Sequence, residues 1–257
     1  MIKVIFSIPF TGKTPHSDNQ TQTWYDFRAG IFEKYTLKSL ENQTDKDFLI
    51  WLQFRPEEIE NPTTKKIDKA LKKSKLDYIM TFNGPIMKED RAIWHNEDLI
   101  ERAEKSLKEL KPKIKEFNYI YETNLDSDDM VYKDFVKVLK QEPFRERGAL
   151  YQKDGFIYEI SGRLAFWHNP ISQQNYTIMY PVDIFLDAKK HFEYQNGLDS
   201  HEQIPEKFNA KEMPKGFYCA IIHGTNISTV WGHSFMGKEI FYEEEKESIL
   251  KDFGIEI

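Results

Sequence analysis

Two rhythms of apolar and polar positions alternate along the first half of the chain. The run "IKVIFSI" is β-branched and aromatic and ends at Pro9, which predicts a buried first strand. The polar, Pro-containing stretch "TGKTPHSDNQTQT" (residues 11–23) reads as a long loop, after which Phe27, Ile31 and Tyr35, then Leu37 and Leu40, fall at helical spacing. A second strand is predicted at "DFLIWLQF", a second helix at "TKKIDKALKKS", and a third strand at "DYIMTF", stopped by Asn83, Gly84 and Pro85. Leu99, Ile100, Ala103, Leu107 and Leu110 form the stripe of a third helix and "FNYIYET" a fourth strand, while Val131, Phe135, Val138 and Leu139 mark one more helix. Strands alternating with helices of this length imply right-handed crossovers, hence an α/β fold with a mainly parallel, doubly wound sheet. Such sheets take their ligands beyond the carboxyl ends of the strands.

The second half is less regular. Short strands are predicted at "GFIYEIS", "NYTIMY" and "GFYCAIIH", a helix at "PVDIFLDAKKHF", and a loop running into a helix at "GLDSHEQIPEKF". The acidic tail helix "YEEEKESILKDF" is expected to pack Ile249, Leu250 and Phe253 back on the body. No internal repeat, low-complexity tract or linker interrupts the chain, so residues 1–257 are expected to form one domain.

A content of 40% hydrophobic and 14% aromatic residues supplies a buried core, and a net charge of −6 argues against a general nucleic-acid binder. The basic stretches "KKIDKALKKSK" and "KSLKELKPKIK" carry apolar residues at helical spacing, which favours solvated helix faces over a polyanion or peripheral membrane contact. Cys219, the single cysteine, lies in the apolar run "FYCAII" and reads as a buried small hydrophobe. No apolar run approaches the ~20 residues of a membrane span, and the N-terminus lacks a small-residue cleavage site, so a soluble cytoplasmic protein is expected.

The sharpest chemical signal is "NLDSDDM", three carboxylates in four positions directly after the fourth predicted strand. One aspartate, Asp128 or Asp129, would suffice to cap a following helix. The others add like-charge repulsion, which a divalent cation relieves. An EF-hand fails on spacing: counted from Asp126, Val131 stands where glycine is needed and Lys137 where glutamate is needed. Asp-X-Asp at the carboxyl end of a strand suits a Mg²⁺ or Mn²⁺ that keeps open positions for phosphate oxygens.

With those residues in view, the chain resembles glycosyltransferases of the GT-A fold, closest to the bacterial "putative rhamnosyltransferase" family. The resemblance rests on "WYDFRAGIFEKYTLKSLENQTDKDFLIWL" (residues 24–52), "TNLDSDDM" and "CAIIHGTN". It implies a nucleoside diphosphate sugar as donor, a saccharide or glycan as acceptor, and rhamnose as the sugar that the family name gives. It also implies a nucleotide-sugar-binding half over residues 1–140 and an acceptor-side half over 141–257. Asp128 would then be a direct metal ligand, Asp126 would contact the metal or the ribose, and Asp129 would be the spare carboxylate, available as a helix cap. A late histidine completes the metal shell in such enzymes, which puts His223 forward; a hydrogen-bonded structural histidine is the competing reading. Pro9, Phe10 and Arg28 become candidates for the nucleotide, and Arg91 for the diphosphate, with a surface salt bridge as the alternative for Arg91. Many relatives end the second strand with an aspartate that reads the base; this chain has Gln53, Phe54 and Arg55 instead.

An inverting transfer needs a base opposite the departing diphosphate, and "GLDSHEQIPEKF" offers Glu202 or Asp199. The competing reading is a cap, with Asp199 or Ser200 at the helix start. Trp167 and His168 suit either a sugar face or the core. "TGKT" lacks the first glycine of a P-loop, "HEQIP" has Pro205 where a zinc-protease helix needs histidine, and "GHSFMG" misses the nucleophile-elbow spacing by one. The expectation is a metal-dependent, inverting hexosyltransferase acting on a cell-envelope glycan. The alternatives are a sugar-nucleotide nucleotidyltransferase and a non-catalytic carbohydrate-binding scaffold of the same fold; the lone glycine and lysine of "FTGKTPHSDNQ" count against the first.

Overall fold

The computed structural model describes residues 1–11, 21–86, 96–171, 175–195, 197–198, 200–224, 226 and 230–256. Strand β1 (Ile2–Pro9) leads to α1 (Gln22–Ile31), capped by the Thr21 hydroxyl, which accepts from the Trp24 N–H. A π turn over Phe32–Thr36 joins α1 to α2 (Leu37–Glu41). That turn splits the stripe read from the sequence as a single helix face. Ala29, Phe32, Leu37 and Leu40 face the main core, Ile31 and Tyr35 face a second core, and Phe27 is left 37% exposed. One π turn carries an extra residue, so no straight 3.6-residue period crosses it.

β2 (Phe48–Gln53) is followed by α3 (Pro62–Ser74), which begins where Asn61 accepts from the Thr63 N–H, with Pro62 in the first turn, and stops at Lys75 in the left-handed conformation. Its Ile67 and Leu71 are buried, worth about 1.5–3 kcal/mol each, while its lysines form the solvated face. β3 (Tyr78–Thr81), α4 (Asn96–Ile114) and β4 (Tyr119–Asn124) complete the alternation. Contrary to the expected helix, Val131 does not open one. Met130–Val131 form a two-residue strand, β5, and α5 (Phe135–Gln141) starts four residues later. Asp128 and Asp129 therefore cap no helix.

Four further strands follow: β6 (Gly148–Tyr151), β7 (Asp154–Glu159), β8 (Arg163–His168) and β9 (Tyr176–Pro181). The helix expected over "PVDIFLDAKKHF" is broken into α6 (Val182–Phe185) and α7 (Ala188–Tyr194), because the Asp187 carboxylate accepts from the Lys190 N–H and starts a new helix. α8 (Ile204–Lys207), β10 (Asn209–Glu212), β11 (Tyr218–Ile222), β12 (Met236–Ile240) and α9 (Glu243–Asp252) end the chain, with Leu250 and Phe253 buried as expected.

The seven-stranded sheet has the order β10-β6-β9-β4-β1-β2-β3. β4, β1, β2 and β3 pair in parallel, and β9 alone is antiparallel to its neighbours β4 and β6. One face, with Phe6, Ile50, Leu52 and Tyr121, is covered by α1 to α3 and α5; the other, with Ile5, Trp51, Ile120 and Tyr180, by α4, α6 and α7. This is the mainly parallel, doubly wound α/β sheet expected. A five-stranded sheet, β12-β8-β7-β11-β5, was not foreseen as a unit. Its strands β7 and β11 run so close at Gly155 that a Cβ there would lie 2.4 Å from the Tyr218 carbonyl oxygen. No helix among the described residues is long and apolar enough to cross a membrane.

Under the helical face of β4 lies a buried polar chain. Ser7 and Tyr180 donate to Glu122, whose carboxyl is pushed up by burial to about 7. His191 Nε2 lies 3.8 Å from Glu122 Oε2, and burial pushes that imidazole down to about 4. Gln195 Nε2 donates to the Tyr180 hydroxyl (3.1 Å), and the His191 ring stacks on Tyr180 with centroids 4.8 Å apart.

Candidate active site

β4 ends at the carboxyl edge of the parallel sheet, and the acidic segment turns there. The Leu125 N–H donates to the Ser7 carbonyl (3.1 Å) and the Asp129 N–H to the Asp126 carbonyl (3.2 Å), so four residues reverse direction before β5. The turn is pinned at both sides. Ser127 Oγ donates to the Phe10 carbonyl beyond β1 (3.1 Å), and the Asp129 carboxylate accepts from the Tyr218 hydroxyl and from the Ile221 N–H (3.1 Å) on β11. Burial, with Asp128 and Asp126 nearby, pushes the Asp129 carboxyl well up. Asp129 is thus a clasp between the acidic turn and the small sheet.

Asp128 points into a different set of partners. Its Oδ2 accepts from Arg28 Nη1 (2.8 Å) and from Asn226 Nδ2 (3.3 Å), and lies 2.8 Å from His223 Nε2. Arg28 Nη1 is also 2.9 Å from His223 Nε2, and Nη2 donates to Ser127 Oγ (2.6 Å). Arg28 reaches this point from the last turn of α1, with Trp24 one turn earlier and its ring centroid 5.8 Å from the guanidinium carbon. His223 follows β11; its N–H donates to Asn226 Oδ1 (2.8 Å), and its ring meets that of Phe27 in a T-shaped contact with centroids 5.5 Å apart. The exposed Phe27 is thereby accounted for. Burial works to raise the Asp128 carboxyl, but Arg28 and the His223 hydrogen bond override it and hold the group at about 2.

Asp128 Oδ2, His223 Nε2 and Arg28 Nη1 form a triangle with sides of 2.8–2.9 Å. Nη1 donates to Oδ2 and lies at hydrogen-bond distance from Nε2, so one cationic nitrogen occupies the position that faces both atoms. The same pair fits a metal. A Mg²⁺ ligand sphere of 2.0–2.1 Å places adjacent ligands about 3 Å apart, and these two atoms are 2.8 Å apart. No third His, Cys, Asp or Glu among the described residues joins them in a metal-binding group, so phosphate oxygens and water would complete the shell.

Of the residues singled out from the sequence, Arg28, Asp128 and His223 converge, and Asp126 is next to them and half-buried. Pro9 is buried at the end of β1. Phe10 corrects one expectation: its ring is 1% exposed, packed against Phe32 and Phe54, so it offers no face to a nucleotide. The Gln53 amide is held between Ser7 Oγ (2.7 Å) and the Ile86 N–H (2.9 Å). Glu202 is exposed in a short 3-10 turn whose N–H is capped by Ser200, the competing reading noted above. Asp199 and Arg91 lie outside the described residues. Trp167 packs between His233 and Phe235 in the small sheet's core, and the exposed His168 pairs with Asp154 at 2.7 Å. Cys219 is fully buried, its thiol pushed well up by burial. Ser127, Asn226 and Tyr218 are the contributors that sequence reasoning missed; the first two stand inside the motifs quoted, between the aspartates and three residues past His223.

The model of the family described as "Putative rhamnosyl transferase" matches residues 20–230, a span containing every side chain of this cluster. No curated protein matches the chain. Among solved structures, a nucleoside-diphosphate-sugar pyrophosphorylase from Vibrio cholerae RC9 is similar over 85% of this chain and 91% of its own, with 11% identity and a TM-score of 0.31.

Proposed function

The chain belongs to the family described as "Putative rhamnosyl transferase", and on that premise we propose that it is a GT-A glycosyltransferase moving a hexose, rhamnose in the first instance, from a nucleoside diphosphate to a saccharide. The observation that carries the reading is the convergence of Arg28, Asp128 and His223 at the carboxyl edge of β4, where a doubly wound sheet receives its ligands. Cleavage of a sugar–phosphate bond builds negative charge on the leaving diphosphate, and preorganised cationic and N–H donors stabilise that charge as it forms. Arg28 supplies such donors, a planar fork suited to phosphate oxygens. A divalent cation held by Asp128 and His223 would add charge at the same point. The clasps through Ser127 and Asp129 fix the turn, so Asp128 needs no reorganisation during the reaction. On the acceptor side Glu202 or Asp199 would take the hydroxyl proton as the sugar inverts.

The test is a thermal-shift panel of UDP, GDP and dTDP with and without Mn²⁺, comparing wild type with Asp128→Ala. A nucleotide at 100 times its Kd stabilises the fold by about 2.7 kcal/mol, and the variant should lose that response. If no nucleotide stabilises the wild type, or the variant responds equally, the reading is wrong. Positive nucleotides then enter as sugar donors, with release of nucleoside diphosphate as the readout.

A further inference from the structure

We propose that Arg28 is an exchangeable internal counter-ion: it fills the cation position between Asp128 and His223 until a divalent cation takes that position, and its freed guanidinium then binds the incoming diphosphate. The proposal rests on the diphosphate reading above.

Three observations carry it. First, Nη1 lies at hydrogen-bond distance from both atoms that have the spacing of adjacent metal ligands, so arginine and metal cannot both have them. Second, the guanidinium is not fully satisfied where it sits. Its Nε is buried and has no hydrogen-bond partner among the described residues, an arrangement that costs free energy and that an oxyanion would relieve. Arginine binds phosphate through two parallel N–H groups, and Nε with Nη2 is such a pair; Nη2 is now on Ser127 Oγ, a neutral acceptor that a charged one outcompetes. Third, the resting contacts offset each other in charge: the Arg28 guanidinium is paired with the Asp128 carboxylate, with His223 against both. A dication entering at Asp128 and releasing Arg28 raises the charge of the site by two, which favours a diphosphate. The resting site therefore does not attract anions strongly, and the metal-loaded one does.

The consequence is reciprocal coupling: metal and nucleotide each tighten the other's binding by the same factor. Mn²⁺ binding, followed by the free-ion electron paramagnetic resonance signal, is measured on wild type and Arg28→Gln with and without UDP, GDP or dTDP. Without nucleotide, the variant should bind Mn²⁺ roughly tenfold tighter than wild type, since the competitor is gone; at saturating Mn²⁺ it should bind nucleotide roughly tenfold more weakly, since the phosphate fork is gone. Equal Mn²⁺ affinity in the two proteins, or unimpaired nucleotide binding by the variant, overturns the exchange. A wild type that binds neither Mn²⁺ nor nucleotide overturns the diphosphate reading itself, which separates the two failures. If Arg28→Gln does not fold, the wild type decides. Its Arg28 Nε–H, followed by nitrogen-15 NMR, should gain protection from solvent exchange with Mg²⁺ and nucleotide together and not with Mg²⁺ alone; an unchanged signal overturns the proposal.

Discussion

Glu122→Gln isolates the effect of one buried carboxyl on the whole fold. Glu122 ordinarily would titrate at 4.5 and is pushed to about 7 in the folded chain, because burial under α7 disfavours the charged form more than the Ser7 and Tyr180 donors favour it. Between those two values the folded protein holds a proton that the unfolded chain has released, so stability falls as pH rises through this window and levels off above it. At ~1.4 kcal/mol for each tenfold in proton binding, the loss amounts to about 3 kcal/mol. Glutamine cannot ionise, and its carbonyl still accepts from a hydroxyl. The variant should therefore match wild type near pH 4.5 and exceed it by about 3 kcal/mol at pH 8.5, roughly 6–12 °C in Tm for a chain of this size. His191, held low by burial, destabilises both proteins alike as the pH falls from 6.5 towards 4, so the difference between them isolates Glu122. Urea denaturation at pH 4.5, 7 and 8.5, followed by fluorescence of the buried Trp51, measures it. A stability difference independent of pH, or a wild type more stable than the variant above pH 7, refutes the reasoning.

Other outcomes follow from single contacts. Gly155→Ala should cost about 1–3 kcal/mol, since the new methyl meets the Tyr218 carbonyl and must part β7 from β11; a Tm equal to wild type would contradict this. Tyr218→Phe removes the donor to Asp129 and should lower stability by about 1–3 kcal/mol, measured by urea melt. Gln152 is 1% exposed and both its amide atoms lack hydrogen-bond partners among the described residues, so Gln152→Met should leave stability unchanged or raise it, read as Tm. Cys219 should react with an aromatic disulfide reagent only as the protein unfolds, with labelling and unfolding rates equal in a denaturant series.

The first half of the fold was legible because β1 to β4 are long apolar runs separated by strongly periodic helices, a pattern whose burial on both faces leaves little choice of period. The small sheet was not, because β8 exposes Arg163, Phe166 and His168, which do not follow a two-residue alternation, and β12 carries exposed Gly237 and Lys238 mid-strand; such strands draw their stability from neighbours that sequence order does not reveal. Arg28, Asp128 and His223 were each visible as chemistry at strand or helix ends. Their contact was not, since it joins residues from α1, the β4 edge and the end of β11 through the tertiary fold alone. Glu122 stood in plain view as a charge inside "YIYETN", and a carboxylate in a strand with both faces covered is itself the signal of a shifted proton affinity.

The placement of β9 has a further bearing on how the chain is made. Because this strand is threaded between β4 and β6, with Tyr119 opposite Pro181 and Asn124 opposite Tyr176, a nascent chain emerging from the ribosome carries β4 with one bare edge until residue 181 has been synthesised. An unpaired apolar edge is a template for sticking to other chains. A fragment of the first 140 residues expressed alone should therefore be less soluble than the whole chain, which a sedimentation assay would read.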